Sequence, residues 1–319
     1  MRVLITGGSG FIGTNLVEHY RGSARVLNLD IAAPRNREHT EHWKRIDICD
    51  ALALRPAIAD FAPDIVLHMA ARTDLAGRTV SEYAPNTTGV SNLIEAVKLA
   101  GSARLVVFAS TMLVCRIGYQ PASETDYCPS TAYGESKVDG ELRVRREATA
   151  FPWVIVRPTS IWGPWFGSPY RDFFTAVQQG WYVHPRGRRV RRSYGFVLNS
   201  VHQLHRLTEA RGANLLGRTI YLADYVPIEL KNWAELIAKR LGVRSISELP
   251  LPMFQAAAWV GDALLAAGVK RFPMSSFRLN NLLTETLHDT APIEAVAGPL
   301  PYDVDRAVDV TCTWLRANP

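Results

Sequence analysis

The sequence predicts an α/β protein: a parallel sheet wound on both faces by helices, joined to a smaller, mainly helical lobe toward the C-terminus. Three observations carry this expectation. Compact apolar runs alternate with helix-period segments through the first half of the 319 residues. A glycine-punctuated turn, Thr6-Gly7-Gly8-Ser9-Gly10-Phe11-Ile12-Gly13, follows the first apolar run at once. After about residue 165 the alternation weakens, and proline, glycine and tryptophan become frequent. Strand–helix alternation implies parallel strands, right-handed crossovers and helices on both faces. The expected domains are 1–165 and 166–319, with segments of the second returning to the core of the first.

Taken in order, Arg2–Ile5 reads as a buried parallel strand, short, apolar and ended by glycine. Gly7 permits a tight turn, Gly10 lets the backbone approach a ligand, and Gly13 lets helix pack on strand. The helix Thr14–Tyr20 follows, and the turn that opens it, at Phe11 and Ile12, offers N–H groups and a positive dipole end. A dinucleotide pyrophosphate is the ligand such a turn takes, in a Rossmann-type sheet. The second strand, Arg25–Asp30, ends in an acid 17 residues past Gly13. That is near the roughly 20-residue spacing of a carboxylate that binds the adenosine ribose. An acid there repels a 2′-phosphate, so NAD is expected over NADP. Arg35 and Arg37 just downstream keep NADP open. Further strands are expected at Ile65–Met69, Leu105–Ser110 and Trp153–Arg157, and helices at Leu52–Phe61, Gly89–Leu99 and Ala132–Ala150. Ligands in such sheets sit outside the carboxyl ends of the strands.

Composition sets bounds. A hydrophobic share of 47% with 21% charged residues suits a water-soluble globule. Cys49, Cys115, Cys128 and Cys312 are scattered without metal-ligand spacing, so no metal is expected and the compartment is read as reducing and cytoplasmic. The N-terminus opens directly on a strand, without a leader pattern. Met253–Val269, interrupted by Asp262, is read as a packed helix of the lobe and not a membrane span, with a peripheral membrane helix as the alternative. The net charge of +6 is concentrated in Arg186–Arg192, which has five arginines in seven residues. Three readings stand for that run: a solvated loop, a diphosphate clamp, and nucleic-acid binding. The last is weakened because no aromatics are interleaved.

Tyr133 and Lys137 are four apart on an expected helix and therefore share a face. A free phenol, with a pKa of about 10, is a poor base at neutral pH, and a nearby ammonium moves it toward working pH. Ser110 and Thr111 stand at the end of the Leu105–Ser110 strand, so Thr111 and Tyr133 can share a target. Thr111 then donates to a substrate oxygen while Tyr133 exchanges its proton. His68, in an apolar strand, reads as a core histidine. His184, before the arginine run, reads as either structural or a contact to sugar or phosphate.

In these residues the chain resembles the extended short-chain dehydrogenase/reductase family, in its nucleotide-sugar epimerase/dehydratase branch, over nearly its whole length. The resemblance implies that Thr6-Gly7-x-x-Gly10-x-x-Gly13 holds NAD, that Asp47-Ile48 flanks adenine, and that His68-Met69-Ala70-Ala71 runs under the cofactor. It implies cofactor-side roles for Asn86, Ser110 and Pro158, catalysis by Thr111, Tyr133 and Lys137, and substrate contacts at Ser160. Arg192, in Arg192-Ser-Tyr-Gly-Phe-Val197, is similar to the arginine that binds the nucleotide diphosphate. It also implies a homodimer. Departures are equally informative. Met112-Leu113 stands where the 4,6-dehydratases carry Asp-Glu, which argues against dehydration. Cys115 replaces an aromatic, Ser160 an asparagine, and Asn199 an acid.

The expected function is an NAD-dependent nucleotide-sugar 4-epimerase, an isomerase of carbohydrate biosynthesis. A reductase of a 4-keto nucleotide sugar or another carbonyl, using NAD(P)H, is the alternative oxidoreductase reading. A non-catalytic NAD-sensing binding protein is the third. A nucleotide-diphosphate sugar is the expected partner, with no nucleic acid and no stable membrane insertion.

Overall fold

The computed structural model describes residues 1–210, 214–267, 269 and 275–318. Its first half runs β1 (Arg2–Thr6), α1 (Phe11–Tyr20), β2 (Arg25–Asp30), β3 (Trp43–Arg45), α2 (Ala51–Phe61), β4 (Ile65–His68), α3 (Thr88–Ala100), β5 (Leu105–Ala109), α4 (Ala132–Glu147) and β6 (Trp153–Pro158). Next come β7 (Ser160–Trp162), α5 (Tyr170–Gln178), β8 (Val183–Pro185), β9 (Arg191–Arg192), β10 (Tyr194–Phe196), α6 (Val197–Glu209) and β11 (Thr219–Leu222). The chain then continues through β12 (Ile228–Glu229), α7 (Leu230–Leu241), β13 (Ser247–Leu249), α8 (Leu251–Ala266), α9 (Ser276–Leu283), α10 (Ala291–Ala297) and α11 (Val304–Ala317).

The chain divides into two compact units. The first comprises Met1–Ile161, Gly195–Tyr225 and Asp289–Pro301, and the second Trp162–Tyr194, Val226–His288 and Tyr302–Pro319. The first crossing thus falls at residue 161, not 165, and residues 195–225 and 289–301 return to the first unit.

In the first unit, seven parallel strands lie in the order β11-β6-β5-β4-β1-β2-β3. The β-branched and leucine runs suit strands covered on both faces. Alternation along β1 shows it: Val3 and Ile5 pack with Leu16 and Tyr20 of α1, Leu204 of α6 and Ile293 of α10. Leu4 faces the other way, toward Leu54 and Ile58 of α2 and Leu93 and Val97 of α3. Helix starts are fixed by side chains. Asp50 accepts from Leu52 N and Ala53 N ahead of α2, and Thr131 accepts from Gly134 N ahead of α4. The expected doubly wound sheet is therefore present, with two strands the sequence pattern did not announce, β3 and β11.

The second unit is mainly helical. Its core is aromatic: the rings of Phe173 and Trp233 stack at 4.8 Å, and Trp162 meets Trp233 edge-on at 5.2 Å. Two small strand pairs complete it, β8 with β13 in parallel and β9 with β12 antiparallel. The expected helix Met253–Val269 is α8, which ends at Ala266, and position 268 lies outside the described residues. Among the described residues no helix is long and apolar enough to cross a membrane.

Candidate active site

The glycine turn sits at the carboxyl end of β1, and its glycines have separate steric causes. Gly7 has φ +73°, and a Cβ there would lie 2.5 Å from Ala70 N. A Cβ at Gly13 would lie 2.1 Å from Gly7 O, so only hydrogen allows α1 to approach the turn. Gly10 is the N-cap of α1, and no side chain caps that helix. This leaves an uncrowded backbone cradle at a helix N-terminus, which fits a pyrophosphate. At the end of β2, the Asp30 carboxylate is held by Ser9 N at 3.0 Å and Ala32 N at 2.9 Å. The first bond ties it to the glycine turn and the second to its own loop, and a carboxylate retains further lone pairs for ribose hydroxyls.

The other residues expected to face the dinucleotide fall around the same strand ends. Asp47 is exposed and accepts from Cys49 N at 2.8 Å. Ile48 is buried, and a Cβ on Gly89 of α3 would strike its Cδ1 at 2.6 Å. Met69, Ala70 and Ala71 follow β4, with Met69 N on Thr6 O at 2.9 Å. Pro158 ends β6 opposite Leu222, and Ser160 is buried two residues on. Asn86 is structural: its Oδ1 accepts from Arg72 N, and its Nδ2 donates to Arg72 O and Ser136 Oγ, each at 2.9 Å. It ties the loop after β4 to α4. His68 is a core histidine as expected, with Nδ1 2.6 Å from Thr6 Oγ1. Burial, and then the charge of Lys137, pull its pKa down to about 3, so it stays neutral.

Tyr133 and Lys137 lie one turn apart on α4, both nearly fully buried. Thr111, whose Oγ1 accepts from Leu113 N at 3.2 Å as the cap of the short turn after β5, lies near enough to Tyr133 for its hydroxyl to favour the phenolate. Lys137 Nζ donates to the backbone, to Ala109 O at 2.8 Å. Burial pushes Tyr133 up to about 12, opposed only by the Thr111 hydroxyl, and pulls Lys137 down to about 8 against the charge of Glu141.

Sequence reasoning missed the group beneath this pair. Glu141, one further turn along α4, forms an ion pair with Arg157 of β6, both side chains being 1% exposed. Glu141 Oε1 accepts from Ser110 Oγ at 2.6 Å and Arg157 Nε at 2.8 Å. Its Oε2 accepts from Arg157 Nη2 at 2.8 Å and Tyr127 OH at 3.0 Å. A small cavity lies here, lined on one side by His68, Asn86, Ser110, Lys137 and Glu141 and on the other by apolar residues such as Val90, Phe108, Val144 and Ile155. The i, i+4 spacing of Glu141 from Lys137 was the available signal. The pair locks β5, β6 and α4 together at the end of the sheet that carries Thr111 and Tyr133.

The second unit holds Arg192. Its Nη2 donates to the carbonyls of Asn281 and Leu282 at the end of α9, while its Nε has no hydrogen-bond partner among the described residues. His184 is structural: its Nδ1 meets Tyr182 OH at 3.0 Å and its Nε2 meets Arg188 O at 2.8 Å. Cys115 is buried, with Sγ on Asp126 O at 3.4 Å, and Asn199 donates to Asp224 Oδ1 at 3.1 Å in the first unit. Among the described residues no group of histidines, cysteines and acids could hold a metal ion.

The NAD-dependent epimerase/dehydratase family model matches residues 3–211. The N-acetyl-α-D-glucosaminyl-diphospho-ditrans,octacis-undecaprenol 4-epimerase of Escherichia coli O157:H7 is 25% identical over 321 residues, covering 98% of this chain and 94% of that protein. The 4-hydroxy-2-methyl-3-oxo-4-farnesyl-3,4-dihydroquinoline-1-oxide ketoreductase of Stigmatella aurantiaca is 24% identical, covering 88% and 85%. In fold, the chain is similar to the UDP-glucose 4-epimerase of Thermotoga maritima solved with UDP-glucose, with a TM-score of 0.75, 18% identity and 99% of each chain covered.

Proposed function

Because the chain belongs to the NAD-dependent epimerase/dehydratase family, we propose that it is a nucleotide-sugar 4-epimerase that oxidises C4 transiently and reduces it again. The observation that carries this reading is the placement of Thr111, at the carboxyl end of β5, beside Tyr133, with Lys137 one turn along α4. When bound, NAD supplies the hydride chemistry at C4. Gly7, Gly10, Phe11, Ile12 and Gly13 hold its pyrophosphate, and Asp30 holds the adenosine ribose. Asp47 and Ile48 flank adenine, while Met69, Ala70, Ala71, Ser110 and Pro158 line its path and Asn86 sets the adjoining loop. Thr111 donates to the C4 oxygen. Tyr133 takes the C4 hydroxyl proton and later returns it. With the phenol at about 12, that transfer needs a closer cation, which Lys137 provides when its ammonium turns from Ala109 O. Ser160 and Arg192 bind substrate, a guanidinium being suited to a diphosphate.

The Escherichia coli and Thermotoga maritima relatives, both named as 4-epimerases, support this reading. The Stigmatella aurantiaca relative favours a second one, an NAD(P)H-dependent ketoreductase on the same residues. The deciding experiment begins with mass spectrometry of small molecules released by denaturing fresh protein. It then assays C4 epimers from UDP-, GDP-, dTDP- and CDP-sugars, together with a polyprenyl-diphosphate sugar. Retained NAD and a C4 epimer support the epimerase. An empty site, no epimer, and steady consumption of NAD(P)H on a keto substrate select the reductase. We also propose a cytoplasmic homodimer, which sedimentation as a monomer at micromolar concentration would overturn.

A further inference from the structure

The second unit carries an apolar surface that the proposed chemistry does not use. Helix α8 is 16 residues long and has a single charged residue, Asp262, whose Oδ1 accepts from Ser276 N at 3.1 Å. Phe254 and Ala258 turn inward and pack on Leu279 of α9. The opposite side is open. Met253 is 53% exposed, Val260 54% and Trp259 71%. Ala256 and Ala257 lie exposed between them and Ala263 one turn beyond, so spacings of three and four residues make one continuous apolar stripe. Phe277 on α9 adds a ring that is 74% exposed.

A cationic turn adjoins this stripe. β8 pairs with β13, and Arg186 N donates to Leu249 O at 2.8 Å, two residues before α8 begins. Arg186, Arg188 and Arg189 are all exposed on that turn. Glu248, the acid whose field reaches Arg186, is tied to Lys231. An uncharged helical face with an exposed tryptophan, next to arginines, matches an anionic bilayer surface, where the apolar side enters the acyl boundary and the cations meet headgroups.

We infer that α8 seats this protein peripherally on an anionic lipid bilayer, its axis in the membrane plane and the Arg186–Arg189 turn on the headgroups. The test is co-sedimentation of the full chain with phosphatidylcholine vesicles, with and without phosphatidylglycerol. Binding should require phosphatidylglycerol and weaken in high salt. Trp259→Ser with Val260→Ser should lower partitioning at least about ten-fold. Arg188→Glu with Arg189→Glu should lower it by about 25-fold or more, at about five-fold per arginine removed. All four side chains are exposed, so thermal melting should stay at the wild-type temperature. Should the serine pair melt early, Trp259→Ala and the arginine pair carry the test. Absence of sedimentation, equal binding to neutral vesicles, or variants that bind as well as wild type would each overturn the inference. So would lipid-free protein that is dimeric and becomes monomeric on the serine substitutions, because a second copy would then own the face.

Discussion

Removing Glu141 alone should destabilise the first unit more than removing Glu141 and Arg157 together. Glu141 accepts four hydrogen bonds, two of them from a guanidinium, and neither partner side chain is more than 1% exposed. Glu141→Met leaves that guanidinium buried without its counter-charge, a change that costs about 3–5 kcal/mol. The Ser110 and Tyr127 hydroxyls also lose an acceptor, at about 1 kcal/mol each. Some of this is offset. Arg157 Nη2 keeps Glu124 O at 2.7 Å, and its guanidinium lies 5.4 Å from the Tyr127 ring and 5.7 Å from the Tyr221 ring. A net loss of about 4 kcal/mol is expected. Glu141→Met with Arg157→Met fills the same space without a buried charge, so only the stranded hydroxyls and carbonyl remain, about 2–3 kcal/mol. Urea unfolding of wild type, both singles and the double gives the coupling directly. A single-variant loss below about 1 kcal/mol, or a double that equals the sum of the singles, would refute this account of how the sheet end is held.

Three further outcomes follow from the site. Tyr133→Phe should lower turnover by about a hundred- to ten-thousand-fold while NAD still binds, as read by steady-state rates beside a cofactor titration. Asp30→Asn should weaken NAD about ten- to a hundred-fold and narrow the preference against NADP, measured by nucleotide fluorescence titration. Lys137→Met should abolish turnover yet stabilise the protein near neutral pH. The folded pKa of about 8 lies below the reference value of 10.5, so the cost of burying the charge is full below pH 8 and fades as pH rises to 10.5. That shift corresponds to about 3 kcal/mol at most, less about 1 kcal/mol for the lost bond to Ala109 O. Urea unfolding should show the variant's advantage at neutral pH and none above pH 10.5.

The dinucleotide half was legible because its signals are local. A strand, a glycine turn and a helix within twenty residues specify one another, and the apolar runs announce strands buried on both faces. What escaped depended on long-range partners. β3 reads Trp43-Lys-Arg45 and is a strand only because β2 lies beside it. β11 stands more than sixty residues past β6, whose edge it covers. Glu141 and Arg157 look like surface charges until the topology lays α4 across the end of β6. The tyrosine–lysine spacing correctly implied a shared face. It gave no warning that the Ala109 carbonyl would claim the ammonium. Arg192 was legible as a residue type in a motif, but not as an arginine bonded to carbonyls some ninety positions later.

The interleaving of the two units limits how this chain can be cut. Residues 195–225 and 289–301 bring Val201, Leu204, Leu207, Ile220, Leu222 and Ile293 into the core that covers Leu16, Val17 and Tyr20. A fragment ending near residue 165 would keep the whole glycine turn and still expose that side of α1 to water. The dinucleotide half is therefore not a detachable module. By contrast, residues 162–194 and 226–288 each leave and rejoin the first unit at fixed points. Because α11 in the third segment, 302–319, packs on α7, any exchange of the second unit has to carry all three segments together.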